Sequence, residues 1–375
     1  MKRRNLVMIA PAAATASVGA GWFTPAAAQL GVVKFGQSAS LTGGQAQYGA
    51  DVRSGIQAAF AAMARDGTGP RCELASIDDG GHKEKCQENV KTLLDAGVVS
   101  LIGLTSGAAA ESVLLAVEQA QVAMLGTASG NMGIRDPKLT MPYHVRAGYD
   151  IEYKAMVRYL KDFGMTRVGY VHLVDTSPAN EAAMTAALDA VGIKMTLSVP
   201  LDRNAKSYDA QADSLLAEKL HCVLFTTNAA PILGVVDRML AGHYTGFFFS
   251  SSFAGQSLFD EMAKRQQVVI MSQVVPRPNA VALPLIKRYI ADLAALDGAQ
   301  KPGYTSLEGY ITGLVAVEAV RATRGGPVTR QRFRESLSNL SLNLGGYAVN
   351  FGTRKMTGSG FVDVVAIDRS GRLMG

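Results

Sequence analysis

The chain has 375 residues, enough for two compact domains of about 100 to 200 residues each. Its 37 basic and 31 acidic side chains leave a formal net charge of +6, half of it in Lys2, Arg3 and Arg4, with the other charges of both signs scattered, so no basic stripe for nucleic acid is present. Three cysteines, an odd number, exclude a fully paired disulfide framework, and no second apolar run of membrane-spanning length follows Gly31, which points to a soluble body.

The first predicted element is a leader. Lys2-Arg3-Arg4, an uncharged apolar run from Leu6, and Pro25-Ala26-Ala27-Ala28 before Gln29 form an export signal cleaved after Ala28. No cysteine follows the cleavage point, so no lipid anchor is expected, and the working protein is placed in the periplasm. Beyond Val32, short apolar runs alternate with amphipathic stretches of helical period, the pattern of α/β lobes built on doubly wound parallel sheets. Strands are predicted at 32–36, 73–78, 98–103, 123–126, 167–173, 194–199, 222–226, 246–250 and 268–272. Helices are predicted at 51–65, 83–96, 108–121, 151–163, 180–191, 209–219 and 232–241, with Gly97, Gly164, Gly192 and Gly242 as left-handed caps.

The alternation breaks at Pro142-Tyr143-His144-Val145-Arg146-Ala147-Gly148 and again at Val274-Val275-Pro276-Arg277-Pro278, which read as crossings between lobes. Helices at 283–296, 306–323 and 330–338 follow, then a β-rich tail at 347–350 and 362–368 with a third crossing near Gly352. The expected division is a signal peptide 1–28, a first lobe 29–147 plus 277–350, and a second lobe 148–276 plus 351–375. Cys72 opens a strand and Cys86 lies one turn into the next helix, too far apart to pair; Cys222 is expected as a buried thiol.

In open parallel sheets, ligands bind beyond the carboxyl ends of the strands, where loop amides and helix starts face the crevice. The loops there are rich in Ser, Thr, Gly and Asn and poor in charge, which suits hydrogen bonding to a small polar solute. Ser106, Gly107 and Ala108 open a helix whose N–H groups favour a carboxylate, although Ser106 as a plain helix cap is an equal reading. Thr127, Ala128 and Ser129 offer a second set of donors, or a simple turn. Tyr48 either covers a ligand or packs loop against lobe. Asp175, Thr176 and Ser177 follow a second-lobe strand, with Ser177 better read as the cap before Pro178; Asn228 and Ser251 stand in the two remaining loops. Thr305 and Glu308 match a capping box, and Asp78 with Asp79 reads as a pair that orders a turn. No nucleophile elbow, zinc motif or nucleotide loop is present, and the five histidines are dispersed, so no cofactor, metal or catalytic residue is expected.

Several of these segments together resemble a family. Gly36-Gln37-Ser38-Ala39-Ser40-Leu41-Thr42-Gly43 with Gln47-Tyr48-Gly49, Asp78-Asp79-Gly80, Gly103 to Ala110, Ser272 to Pro276, Tyr304 to Tyr310 and Gly345 to Phe351 look like the periplasmic substrate-binding proteins of branched-chain amino-acid-type (LIV) ABC transporters. The resemblance implies a type I periplasmic-binding-protein fold with a multi-stranded hinge, a monomer that closes on a small-molecule ligand, and an inner-membrane ABC permease as partner. It also implies a ligand carboxylate near Gly107 and Gly130, with Ser106 and Ser129 adjacent, and an ammonium acceptor at the position of Ser251. The second-lobe tyrosine of the family falls near Thr176 or Ser177. Because Ser251 carries no charge, an amino acid and an aromatic or other organic acid both stay open as ligands. A sensor module for a membrane receptor is the other class with the same fold.

Overall fold

The computed structural model describes residues 31–67, 69–323, 326–352 and 356–374; the expected leader lies outside them. Two sheets organise these residues. The first has five parallel strands, β1 (Val32–Ala39), β2 (Arg71–Asp78), β3 (Ser100–Ile102), β4 (Ala123–Leu125) and β5 (Pro142–Tyr143), in the order β2-β1-β3-β4-β5. The helices between them are α1 (Ala46–Asp66), α2 (Lys83–Asp95), α3 (Gly107–Ser112) and α4 (Leu114–Ala120). The chain then enters the second lobe through α5 (Tyr149–Asp162), β6 (Val168–Leu173), α6 (Pro178–Ala190), β7 (Met195–Leu201), α7 (Asp209–Ala217), β8 (Cys222–Thr226), α8 (Ala229–Ala241), β9 (Phe247–Ser250), α9 (Gln256–Lys264) and β10 (Val269–Gln273).

It returns in α10 (Pro284–Leu296), α11 (Tyr304–Ala322) and α12 (Arg330–Ser338). It closes with a small hairpin, β11 (Ser341–Asn343) and β12 (Ala348–Asn350), and with β13 (Asp363–Ile367) and β14 (Leu373–Met374). The second sheet runs β14-β13-β10-β9-β8-β6-β7, and β13 lies antiparallel on β10, so the tail rejoins the middle segment as the sequence suggests. All five residues of β8 are buried, the signature of a strand covered by helices on both faces. In the first lobe, Phe35 packs its ring on Phe60 of α1 and Phe333 of α12. No helix of the described residues is long and apolar enough to cross a membrane.

The crossings are tied to one another. Tyr347 Oη donates between Val145 O (2.7 Å) and Val274 O (3.1 Å), joining the first two crossings to the tail. The third meets the first where His144 N donates to Met356 O and Gly358 N donates to His144 O, both at 2.7 Å.

Four local expectations need correction. The helix expected over 108–121 is two helices, because Val113 leaves helical geometry (φ −107°, ψ 1°) where Ser112 Oγ turns back on Ala109 O. Gly97, Gly164 and Gly192 take positive φ, but Gly242 does not; His243 adopts the left-handed conformation in its place. Helix α9, which buries Leu258, Phe259 and Met262, is not among the expected elements. Thr305 and Glu308 form no capping box: α11 begins at Tyr304 after Gly303, and Glu308 points into the interior. Cys72, Cys86 and Cys222 are free and buried as expected, and burial pushes each thiol up to about 12.

Candidate functional site

The carboxyl ends of both sheets meet across a seam, and the polar loops identified in sequence line it. On the first lobe, Ser106 Oγ accepts from Ala109 N (3.4 Å), so the cap reading is realised. A side chain on Gly107 would run into Asn131 Cβ (2.6 Å) and Ser129 Oγ (2.7 Å), so glycine is required there for the close packing of two loops. Asn131 Nδ2 donates to Gly107 O (3.0 Å) and fixes that approach. Ala128 is buried and its carbonyl accepts from Tyr48 Oη (2.6 Å), while the Tyr48 ring meets Phe253 of the second lobe edge-on at 5.6 Å. Tyr48 therefore packs across the seam. Ser129 Oγ lies 3.2 Å from Tyr149 Oη, another pair that spans it.

On the second lobe, Ser177 caps α6 by accepting from Ala179 N (3.3 Å), and Thr176 Oγ1 donates to Leu173 O (2.9 Å). Asp175 accepts from Arg203 Nη2 (2.8 Å), and Arg203 Nη1 reaches Gln45 Oε1 of the first lobe at 3.5 Å. Asn228 is buried, with Oδ1 accepting from Thr227 Oγ1 (3.3 Å). Asn180 Oδ1 accepts from Met132 N (2.8 Å), again from one lobe to the other. The turn-ordering role expected for Asp78 and Asp79 is present: Asp78 Oδ1 accepts from Leu41 N and Gly80 N, and Asp79 Oδ1 from Gly81 N.

Some of the buried polar atoms without a protein partner lie here. Thr127 Oγ1, Ser251 Oγ, Gln45 Nε2, Asn180 Nδ2 and Arg203 Nε are all buried at the seam and unpaired. Buried polar groups are normally satisfied, so these five keep hydrogen-bonding capacity that the protein does not use.

Behind the seam stands a charge network that the sequence reading did not assign. Arg146, in the first crossing, is fully buried and donates through Nη2 to Glu152 Oε1 and Ser252 Oγ (2.7 Å), and through Nη1 to Glu308 at 3.3 and 3.4 Å. Glu152 Oε2 also accepts from Ser252 N (2.9 Å) and Ser272 Oγ (2.6 Å). Burial works against the charge on Arg146, but Glu308 and Glu152 outweigh it and hold the guanidinium charged. Burial also pushes the Glu308 carboxyl above the usual range, although Arg146 opposes it. The only hint in sequence was a lone arginine inside an apolar crossing.

The arrangement offers hydrogen-bond donors and acceptors from two lobes, with its buried charge already paired. Solved structures share the architecture. A possible leucine/isoleucine/valine-binding protein from Rhodopirellula baltica SH 1 superposes with a TM-score of 0.85 at 23% identity, covering 92% of this chain and 96% of that one. A fatty acid ABC transporter substrate-binding protein from Thermomonospora curvata gives 0.81 at 16% identity, covering 92% and 91%. A branched-chain amino acid ABC transporter structure from Thermus thermophilus with bound valine gives 0.81 at 13%, covering 92% and 95%. At these identities the likeness is one of fold. No curated protein sequence matches. The family model described as periplasmic binding protein matches residues 32–372, nearly the whole described chain, with two lobes, three crossings and a polar seam between them, and the chain belongs to that family.

Proposed function

We propose that this protein is an exported, monomeric solute receptor that encloses a small carboxylate-bearing molecule between its lobes and presents the closed form to an inner-membrane ABC permease. The observation that carries this reading is the cluster of unpaired buried hydroxyl, amide and guanidine groups contributed by both lobes at one seam. Closure responds to ligand only if the ligand touches both lobes, since equal affinity for open and closed forms shifts nothing. Thr127 with Gln45 on one side and Ser251 with Asn180 on the other meet that condition. The lobes divide near 147, 277 and 350. Family membership supports an amino acid or a related compound. The uncharged Ser251, together with the aromatic rings of Tyr48, Phe253 and Tyr149, favours as a second reading an aromatic or other organic acid.

A thermal-shift screen of amino acids, aromatic acids and dicarboxylates on the processed chain tests the proposal. A ligand at a hundred times its Kd adds about 2.7 kcal/mol to the folded state. One class should raise the melting temperature, and Thr127→Val combined with Ser251→Ala should weaken that response about tenfold or more. No response to any class, or conversion of the bound compound to a product, would defeat the reading.

A further inference from the structure

A cavity of about 270 Å³ lies on the hinge and is lined by none of the seam residues described above. Its walls come from the segment after β4, from β5 and the first crossing, and from the third crossing, with Ile134, Pro137, Leu139, Pro142 and Met356 supplying the apolar surface. Arg135 and His144 supply the polar part, with Thr357 beside them and the exposed Asp136 at the rim.

Both Arg135 and His144 are left incomplete by the protein. Arg135 donates only at long range, to Thr357 Oγ1 (3.3 Å) and to the carbonyls of Ser129 (3.4 Å), Arg146 (3.4 Å) and Ala147 (3.3 Å), and its buried Nε has no partner. Among the described residues, no carboxylate lies within ion-pair distance of it; Asp150 and Glu152 act on it only from farther away. Burial, then Arg146, lowers its pKa to about 10, so an anion beside it is favoured. His144 is neutral: burial and Arg135 hold it well below the usual range. Its Nε2 pairs with Ile134 O (3.0 Å) and its Nδ1 is unpaired.

We infer that this cavity is a second ligand site, which takes a small apolar carboxylic acid with its carboxylate on Arg135 and its hydrocarbon part against Ile134, Leu139 and Pro142. The site is built from the two crossings that His144 and Met356 bond together, so it changes shape when the lobes rotate. An acid that fits only one hinge angle biases closure, and by reciprocity the seam ligand alters the affinity of the hinge site.

The probe is 4-bromobenzoate. In crystals of the processed protein soaked with it, the bromine anomalous peak is expected between Ile134, Leu139 and Pro142, and calorimetry in solution should show binding that weakens about ten- to hundredfold in Arg135→Gln. Arg135 also holds crossing carbonyls, so Leu139→Trp, which fills the cavity and leaves those bonds in place, is the second arm and should weaken binding at least as much. Bromine found only at the seam overturns the hinge site and leaves the receptor reading standing. A peak in the cavity without heat in solution, binding unaffected by Leu139→Trp, or no binding at all also overturns it, whatever the amino-acid and organic-acid screen returns.

Discussion

Asp51, on the first lobe near the seam, accepts one hydrogen bond, from Gln47 Nε2 at 2.7 Å, and burial lifts its carboxyl from 3.8 to about 6. The folded state thus keeps a proton that the unfolded chain releases about two pH units lower. The resulting cost is absent well below pH 3.8, grows between there and about pH 6, and is complete above that. Asp51→Asn keeps an acceptor for Gln47 and removes the titration. It should stabilise the protein by about 2 kcal/mol at pH 7 and leave it nearly unchanged at about pH 3, as read from urea melts at the two values. Equal gain at both would mean that the carboxylate is not desolvated. Arg146 presents the opposite case, a buried cation whose removal strands two carboxylates. Arg146→Met should cost about 3 to 5 kcal/mol at pH 7. The deficit should shrink on acidification, because Glu308, whose carboxyl burial already raises, loses the cation that opposes that rise and binds a proton more readily in the folded state. A pH-independent loss would assign the effect to packing alone.

At the scale of elements, α1 and α11 approach until their backbones touch. A Cβ on Gly55 would stand 2.0 Å from Ser306 O and 2.5 Å from Tyr310 N, and one on Gly309 would stand 2.2 Å from Val52 O. These contacts are backbone, so no side chain can move aside. Gly55→Ala should destabilise by about 3 kcal/mol or more, whereas Gly298→Ala, with its nearest neighbour at 3.9 Å, should stay within about 0.5 kcal/mol, as measured by chemical denaturation. This pair also shows where sequence legibility ends. Periodicity placed β8 and α12 correctly because the apolar pattern of each is local: β8 is buried on both faces, and Phe333 and Leu337 repeat at helical spacing. A glycine within α1 reads in isolation only as a helix penalty, since its reason lies more than 250 residues away in α11. The site divides the same way. The polar loops were visible as composition at strand ends, but Arg146, Glu152 and Glu308 come from a crossing and two helices, and only the fold brings them together. Glu308 was misread because Thr305-Ser306-Leu307-Glu308 satisfies a local motif; the buried guanidinium beside it decides its role.

For the whole molecule, if the lobes close on ligand as proposed, the contacts across the seam can be trapped. Gly44, on the first lobe, would place a Cβ 3.6 Å from Ala230 Cβ at the start of α8 in the second, within the range that a disulfide requires. Gly44 does not occupy positive φ, so cysteine is tolerated there. The three native thiols are buried and hard to ionise, and they will not compete. Gly44→Cys with Ala230→Cys should therefore oxidise to a single cross-link between lobes. The cross-linked protein should be as compact in small-angle scattering as the ligand-saturated wild type. It should exchange ligand far more slowly than its reduced form if, as proposed, the lobes must part for entry to the seam. Reduction should restore both properties. If the pair resists oxidation while each single variant folds, the lobes do not meet at Gly44 and Ala230 in solution. If the oxidised form exchanges ligand as fast as the reduced one, the ligand enters by a route that lobe opening does not control.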